Sequence, residues 1–227
     1  VSINAFERFL GDFALDKKLV PKKLTDETKS EKIAVIGSGP AGMTCAYHLA
    51  RNGYPVTVFE AFPKSGGMLR YGIPDYRLPQ DILNAEIQRI LDMGVELKLN
   101  TIVGKDVSLE DLRKEYKAIF IATGSHKGMK MNIEGEDLPQ VIDAVDFLRA
   151  LHLKEDVEVG QRVAVVGGGD AAIDAARVAK RLGKDTEILY RRTRAEMPAQ
   201  ETEIDDAIKE EINIRFLTAP IKVLSSN

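Results

Sequence analysis

Six residues, Gly37-Ser38-Gly39-Pro40-Ala41-Gly42, have the spacing G-x-G-x-x-G, with the apolar run KIAVIG ending in the first of them and a helical pattern, PAGMTCAYHLARNG, leading on from the third. In that setting each glycine has a chemical reason. Gly37 makes a tight turn, Gly39 lets backbone approach a pyrophosphate, and Gly42 lets helix and strand close on each other, while the helix N-terminus offers free N–H groups to an anion. Glu60 ends the next apolar run, PVTVFE, 18 residues after Gly42. A carboxylate there accepts hydrogen bonds from ribose hydroxyls and repels a 2′-phosphate. Without that setting the same residues read as turn glycines and a solvated acid; strand, helix and acid together favour a nucleotide.

A second turn, Gly167-Gly168-Gly169-Asp170-Ala171-Ala172, reads G-x-G-x-x-A, an accepted form of the same motif. At the end of its following strand the acid is replaced by Tyr190-Arg191-Arg192-Thr193-Arg194. Guanidinium groups are planar, permanently charged partners for phosphate, which favours NADPH over NADH, although an exposed basic turn has the same composition. Most acids near this turn read as solvated, but Asp170 and Asp174 are one helical turn apart, a spacing that lets both face the expected nucleotide.

Other chemistries are poorly supplied. Cys45 is the only cysteine, which excludes a disulfide framework, a cysteine-only zinc site and an iron–sulfur cluster held by this chain's own cysteines. It also leaves no cysteine pair beside Gly66-Gly67, where Met68 and Leu69 follow instead, so disulfide reduction is disfavoured. Cys45 itself reads as a small core residue. His48, His126 and His152 form no metal spacing. A net charge of −3 and a pI near 5.8 give no basic face for nucleic acid. No apolar run approaches a membrane span, the N-terminus lacks a secretory layout, and a reducing cytoplasm is the expected location.

The elements that must position these turns repeat. With 44% hydrophobic and 30% charged residues, the 227-residue sequence is ordinary for a soluble globular protein, and its strand–helix–strand patterns make α/β the expected fold class. Gly37 and Gly167, Gly39 and Gly169, Gly53 and Gly183 are all 130 positions apart, so one strand–helix–strand unit is used twice. Two dinucleotide-binding domains of Rossmann type are expected: a helix and linker over 1–30, an incomplete first domain over 31–135 and an incomplete second domain over 136–227. The first 30 residues open on an amphipathic stretch (Ile3, Phe6, Phe9, Leu10, Phe13) followed by a Lys-rich segment. Strands are expected over 32–37, 55–60, 118–124, 162–167 and 186–190. One helix follows Pro79 and ends at Gly94, and another starts at Ser108 with Asp111 as its capping partner. Between them, AFPKSGGMLRYGIPDYRLP reads as a loop on which Gly66 and Gly67 permit close backbone approach to a flat ligand and Arg77 suits a phosphate or carboxylate.

Taken together, VIGSGPAG, VFEAFPKSGGMLRYGIPDYRLP, IATG, VVGGGDAAIDAAR and YRRTRAEMPA resemble the glutamate synthase small-subunit family, with the likeness running from INAFERF over nearly the whole chain. The resemblance implies FAD at Gly37, Gly39, Pro40, Ala41, Gly42, Glu60, Gly67, Met68, Leu69, Arg77, Val103, Ala122, Thr123 and Gly124. It implies NADPH at Gly168, Gly169, Asp170, Ala171, Ala172, Arg191 and Arg192. It further implies electrons passing from NADPH to FAD and on to iron–sulfur clusters of a larger catalytic subunit or other iron–sulfur partner. No side chain is expected to be catalytic, because the cofactors carry the chemistry. In the family a cysteine-rich iron–sulfur domain precedes the INAFERF-like helix, and a later segment with a Gly-Asp pair completes the flavin domain. The chain is therefore expected to be part of a longer protein. The alternative from another class is a non-catalytic nucleotide-binding or scaffold piece of a larger redox complex.

Overall fold

A computed structural model describes residues 2–225; Val1, Ser226 and Asn227, the ends of the expected segments, lie outside the described residues. The chain divides into two compact units. One takes the chain up to Arg70 and then Leu78–Gly124, and the other takes Tyr71–Arg77 and the described residues from Ser125 onward.

The first unit begins with α1 (Ile3–Asp16) and continues through β1 (Ile33–Ile36), α2 (Pro40–Arg51), β2 (Val56–Phe59), α3 (Met68–Tyr71), α4 (Gln80–Leu91), β3 (Glu96–Lys98), α5 (Leu109–Glu115) and β4 (Ala118–Ile121). Its four strands form a parallel sheet in the order β3-β2-β1-β4, with Ile33 opposite both Val56 and Ala118. Strands β1 and β2 are apolar apart from Thr57 and buried along their whole length, as central parallel strands covered on both faces must be. Alternation sends Val35 and Val58 to one face, under Met43, Ala46, Leu83 and Ile87 of α2 and α4. It sends Ala34, Ile36 and Phe59 to the other, under Leu112 and Tyr116. Each fully buried valine contributes about 1.5–3 kcal/mol by leaving water. Ser108 caps α5 by accepting the Asp111 N–H at 3.0 Å, as its spacing predicts.

The strands are shorter than the apolar runs suggest. The run AIFIATG pairs only as far as Ile121, because beyond it the Ala122 carbonyl backs onto Gly37 and Gly124 turns through φ +69. Helix α1 buries none of its residues, and Ile3, Phe6, Phe9 and Leu10 are each more than half exposed.

In the second unit come α6 (Ala144–Leu153), β5 (Arg162–Val166), α7 (Asp170–Arg181), β6 (Asp185–Leu189), a 3-10 turn (Arg194–Glu196), α8 (Glu201–Lys209) and β7 (Asn213–Arg215). Its parallel sheet runs β5-β6-β7, with Val163 opposite Thr186 and Ile188 opposite Ile214. Ile173 and Ala176 of α7 pack with Ile188 and with Ile204 and Ala207 of α8. The other side of α7, Ala175 and Ala179, meets Phe147 and Leu148 of α6. Alanines at these positions let α7 approach the sheet and both helices closely.

Candidate functional site: two glycine turns

The first turn is built by strand end, glycine and helix start. Gly37 has φ +103, and a Cβ there would fall on the Ala122 carbonyl; a Cβ at Gly42 would fall on the carbonyl of Gly37 itself. Pro40 and Ala41 lie exposed at the start of α2, where proline's fixed φ and missing N–H suit the first helical position. The N-cap is Gly39, with no side chain to bond the first N–H groups, so this helix end keeps its donors and positive dipole end for an anion.

A second loop closes over this turn. Gly67 has φ +54, and a Cβ on it would sit 2.7 Å from the Gly39 Cα. The Gly66 N–H donates to both the carbonyl and the hydroxyl of Ser38, each at 3.1 Å. Behind it Arg70, 4% exposed, donates to the Ser65 carbonyl, to Gln80 Oε1 at 2.5 Å and to Asn84 Oδ1 at 2.6 Å. That guanidinium ties the glycine loop to α4 and fixes half-buried Met68 and Leu69 next to it in α3.

Glu60 is 5% exposed and already engaged: it accepts the Ser38 N–H at 3.0 Å, the Ser38 hydroxyl, and the Phe62 N–H at 2.9 Å. A carboxylate has about four acceptor sites, so one remains for a ribose hydroxyl. Val103 is half-buried against the Ala34, Ile36 and Phe59 cluster, while Thr123 and Gly124 follow Ala122 on the exposed rim. The structure thus gathers Gly37, Gly39, Gly42, Glu60, Gly67 and Ala122 around one turn. The bare backbone at Gly37, Gly39 and Gly42 and the remaining acceptor fit the pyrophosphate and ribose of a dinucleotide.

The second turn repeats this plan with different chemistry. Gly169 is the uncapped N-cap of α7, Asp170 is exposed and accepts the Gln200 N–H at 3.2 Å, Ala171 is exposed and Ala172 is buried. At the position matching Ser38 stands Gly168, and at the position matching Glu60 stands Tyr190. A Cβ on Gly168 would lie 2.5 Å from the Tyr190 ring, whose hydroxyl donates to the Glu196 carbonyl at 2.7 Å. A ring against backbone replaces the hydroxyl–carboxylate pair, and no acid remains there to repel a phosphate. Arg191 is exposed and makes no ion pair among the described residues, and Arg192 has only a long contact, 3.9 Å, to Glu196. Arg194, by contrast, is committed to Asp205.

Two expectations from sequence meet different surroundings. Arg77 lies in the second unit, where its guanidinium pairs with Asp174 at 2.6 Å and with Glu203 at 3.1 Å. Asp174 is 3% exposed and paired with that arginine, so it does not face outward beside Asp170. Ser38 and Arg70 were missed, since an x position in the motif and an arginine among loop glycines give no local signal of their partners. Cys45 packs half-buried against the first core, and burial pushes its thiol up, in keeping with a core role. Among the described residues no group of histidines, cysteines and acids is placed to hold a metal, and no helix is long and apolar enough to cross a membrane.

Comparison with known proteins agrees with this geometry. The model of the pyridine nucleotide-disulphide oxidoreductase family matches residues 31–223. The NADPH-Fe(3+) oxidoreductase subunit beta of Geobacter sulfurreducens is 41% identical over 99% of this chain and 34% of its own length. The glutamate synthase [NADPH] small chain of Escherichia coli is 35% identical over 98% of this chain and 50% of its own. The chain thus spans a third to a half of these relatives. FprA of Mycobacterium tuberculosis, solved in complex with NADPH, shares the fold with a TM-score of 0.74 at 21% identity, over 87% of this chain and 62% of its own. The chain belongs to the pyridine nucleotide-disulphide oxidoreductase family, and NADPH-linked subunits such as the glutamate synthase small chain are among its relatives.

Proposed function

We propose that this chain is the dinucleotide-binding part of an NADPH-dependent flavin oxidoreductase, with FAD in the first unit, NADPH in the second, and electrons leaving to iron–sulfur centres of a partner subunit. The observation that supports this best is the paired contrast at equivalent positions: Ser38 and Glu60 at the first turn, Gly168 and Tyr190 followed by Arg191 and Arg192 at the second. An acceptor carboxylate suits a ribose with free hydroxyls, and arginines suit a ribose bearing a phosphate. When bound, the nicotinamide supplies a hydride and the flavin accepts it.

The chain's own residues bind and orient. Gly37, Gly39, Pro40, Ala41 and Gly42 present backbone to the FAD pyrophosphate. Glu60 takes the ribose. Gly67, Met68 and Leu69, braced by Arg70, with Val103, Ala122, Thr123 and Gly124, complete the flavin side. Gly168, Gly169, Asp170, Ala171 and Ala172 present the second helix start, and Arg191 and Arg192 take the 2′-phosphate. The names of the relatives support a partner subunit, and the single cysteine leaves disulfide chemistry without a pair.

The test is an absorbance spectrum of the desalted chain after incubation with FAD, recorded anaerobically before and after NADPH. Retained flavin bands that bleach with NADPH, and more slowly with NADH, are the expected result. NADPH binding with no retained flavin would replace this reading with that of a nucleotide-binding piece lacking turnover.

A further inference from the structure

The segment Tyr71–Arg77, from the last residue of α3 toward the start of α4, interrupts the first unit in sequence yet belongs to the second unit. Asp75 contacts His152 at 3.3 Å, and the last two side chains, Tyr76 and Arg77, attach the segment to α7. The Tyr76 ring lies under two guanidinium groups of α7, Arg177 at 4.8 Å and Arg181 at 4.0 Å from its centroid. Its phenol is buried without a hydrogen-bond partner among the described residues, and burial pushes it up to about 12. Arg177 is in turn held by Glu203 at 2.5 Å and Glu210 at 2.8 Å. Arg77 reaches the same helix, one oxygen of Asp174 at 2.6 Å, and α8 through Glu203 at 3.1 Å.

Asp174 is the unusual member. Its side chain is 4% exposed, its second oxygen has no hydrogen-bond partner among the described residues, and it lies on α7 one turn beyond Asp170. At 1.5 Å of rise per residue this carboxylate is about 6 Å along the axis from the first helical residue, inside the reach of an anion bound at that helix start. The charged groups facing it are Arg77 from the strap, Glu203 from α8 and Asp170 from α7 itself. Two of the three are acids, so Arg77 is the compensating charge.

We propose that Arg77 is a positioning residue for the nicotinamide site: by neutralising Asp174 beneath the second glycine turn it keeps the start of α7 open to an anionic pyrophosphate. The inference rests on the nucleotide reading of that turn. It gives Arg77 a different duty from the flavin contact that the family resemblance implies. Without Arg77, Asp174 is left buried among acids, and two outcomes follow with pH. Burial already raises its pKa against the opposing pull of Arg77, so removing Arg77 raises it further. Below that pKa the carboxyl is neutral and harmless; above it, an uncompensated anion repels the dinucleotide.

The experiment is a fluorescence titration of the full chain with NADPH, from mildly acid to mildly alkaline pH, on wild type, R77A, R77K, D174N and R77A/D174N, with retained FAD measured in parallel. R77A is expected to weaken NADPH binding by roughly tenfold or more at alkaline pH and to approach wild type at acid pH. R77A/D174N should lose that pH dependence and regain affinity. R77K keeps the charge and should stay within a few-fold of wild type. D174N alone should bind as tightly as wild type or tighter, which keeps the proposal testable if R77A folds poorly. The proposal is overturned if R77A matches wild type at every pH, if D174N itself weakens binding, or if R77A loses FAD while holding NADPH. Wild type that binds no NADPH at all would instead overturn the nucleotide reading on which the proposal stands.

Discussion

Glu60 and Tyr190 occupy the same place in two copies of one unit, and on the proposed function the difference between them sets which ribose each turn accepts. Glu60 is spent mostly on structure, holding Ser38 and Phe62, and offers one remaining acceptor. Tyr190 offers no carboxylate; its hydroxyl donates to the Glu196 carbonyl, and its ring lies where a side chain at position 168 would be. On the same proposal, selectivity at the second turn falls to the arginines that follow. Replacing Arg191 and Arg192 together by alanine removes two exposed cations without disturbing the core. The expected outcome is a loss of roughly tenfold or more in NADPH affinity with little change for NADH, read by parallel titrations. The NADPH advantage of wild type should also shrink as salt is added, since exposed charges are screened. Equal losses for both nucleotides would place these arginines elsewhere than on the 2′-phosphate.

At the scale of the element, the two strand–helix–strand units differ at the last position of the turn, Gly42 in one and Ala172 in the other. In the first, a Cβ at Gly42 would fall on the Gly37 carbonyl and lie 3.2 Å from Val35, both parts of a packed core. In the second, the equivalent residue is Ala172, which already places a buried methyl group at this position. Gly42→Ala should therefore destabilise the first unit by about 1–3 kcal/mol and release FAD, while Ala172→Gly should cost only about 0.5–1 kcal/mol. Denaturant midpoints with retained flavin as second readout check this; equal effects would mean the two turns are not packed as described. These turns were legible in sequence because their constraints are local: a glycine spacing, a strand before, a helix after. So were the caps at Ser108 and the approximate strands. Helices α6 and α8 and strands β3 and β7 were not foreseen. Glu96–Lys98 and Asn213–Arg215 are only three residues long, with too little alternation to read, and α8 is acidic on most of its surface. What sequence could not give was pairing across distance. Nothing local says that Arg70 will reach Gln80 and Asn84, or that Arg77 will reach Asp174 nearly a hundred residues on.

Across the whole molecule, the order of the chain and the order of the units part company at Tyr71–Arg77. The strap is flanked by elements of the first unit but held by Arg177, Arg181, Asp174 and Glu203 of the second. A segment's protection from hydrogen exchange reports the stability of the unit it opens with, not of its neighbours in sequence. A ligand that binds one folded unit stabilises that unit, by about 2.7 kcal/mol at a hundred times its dissociation constant. Saturating NADPH should therefore slow exchange in α7, β6 and α8 and, with them, in peptides covering 71–77, while the flanking peptides of α2 and α4 respond to FAD instead. If the strap followed FAD and ignored NADPH, the pairing of Arg77 with Asp174 would not govern its stability in solution. Following NADPH would show that one short loop of the first glycine-rich region is energetically part of the second nucleotide site.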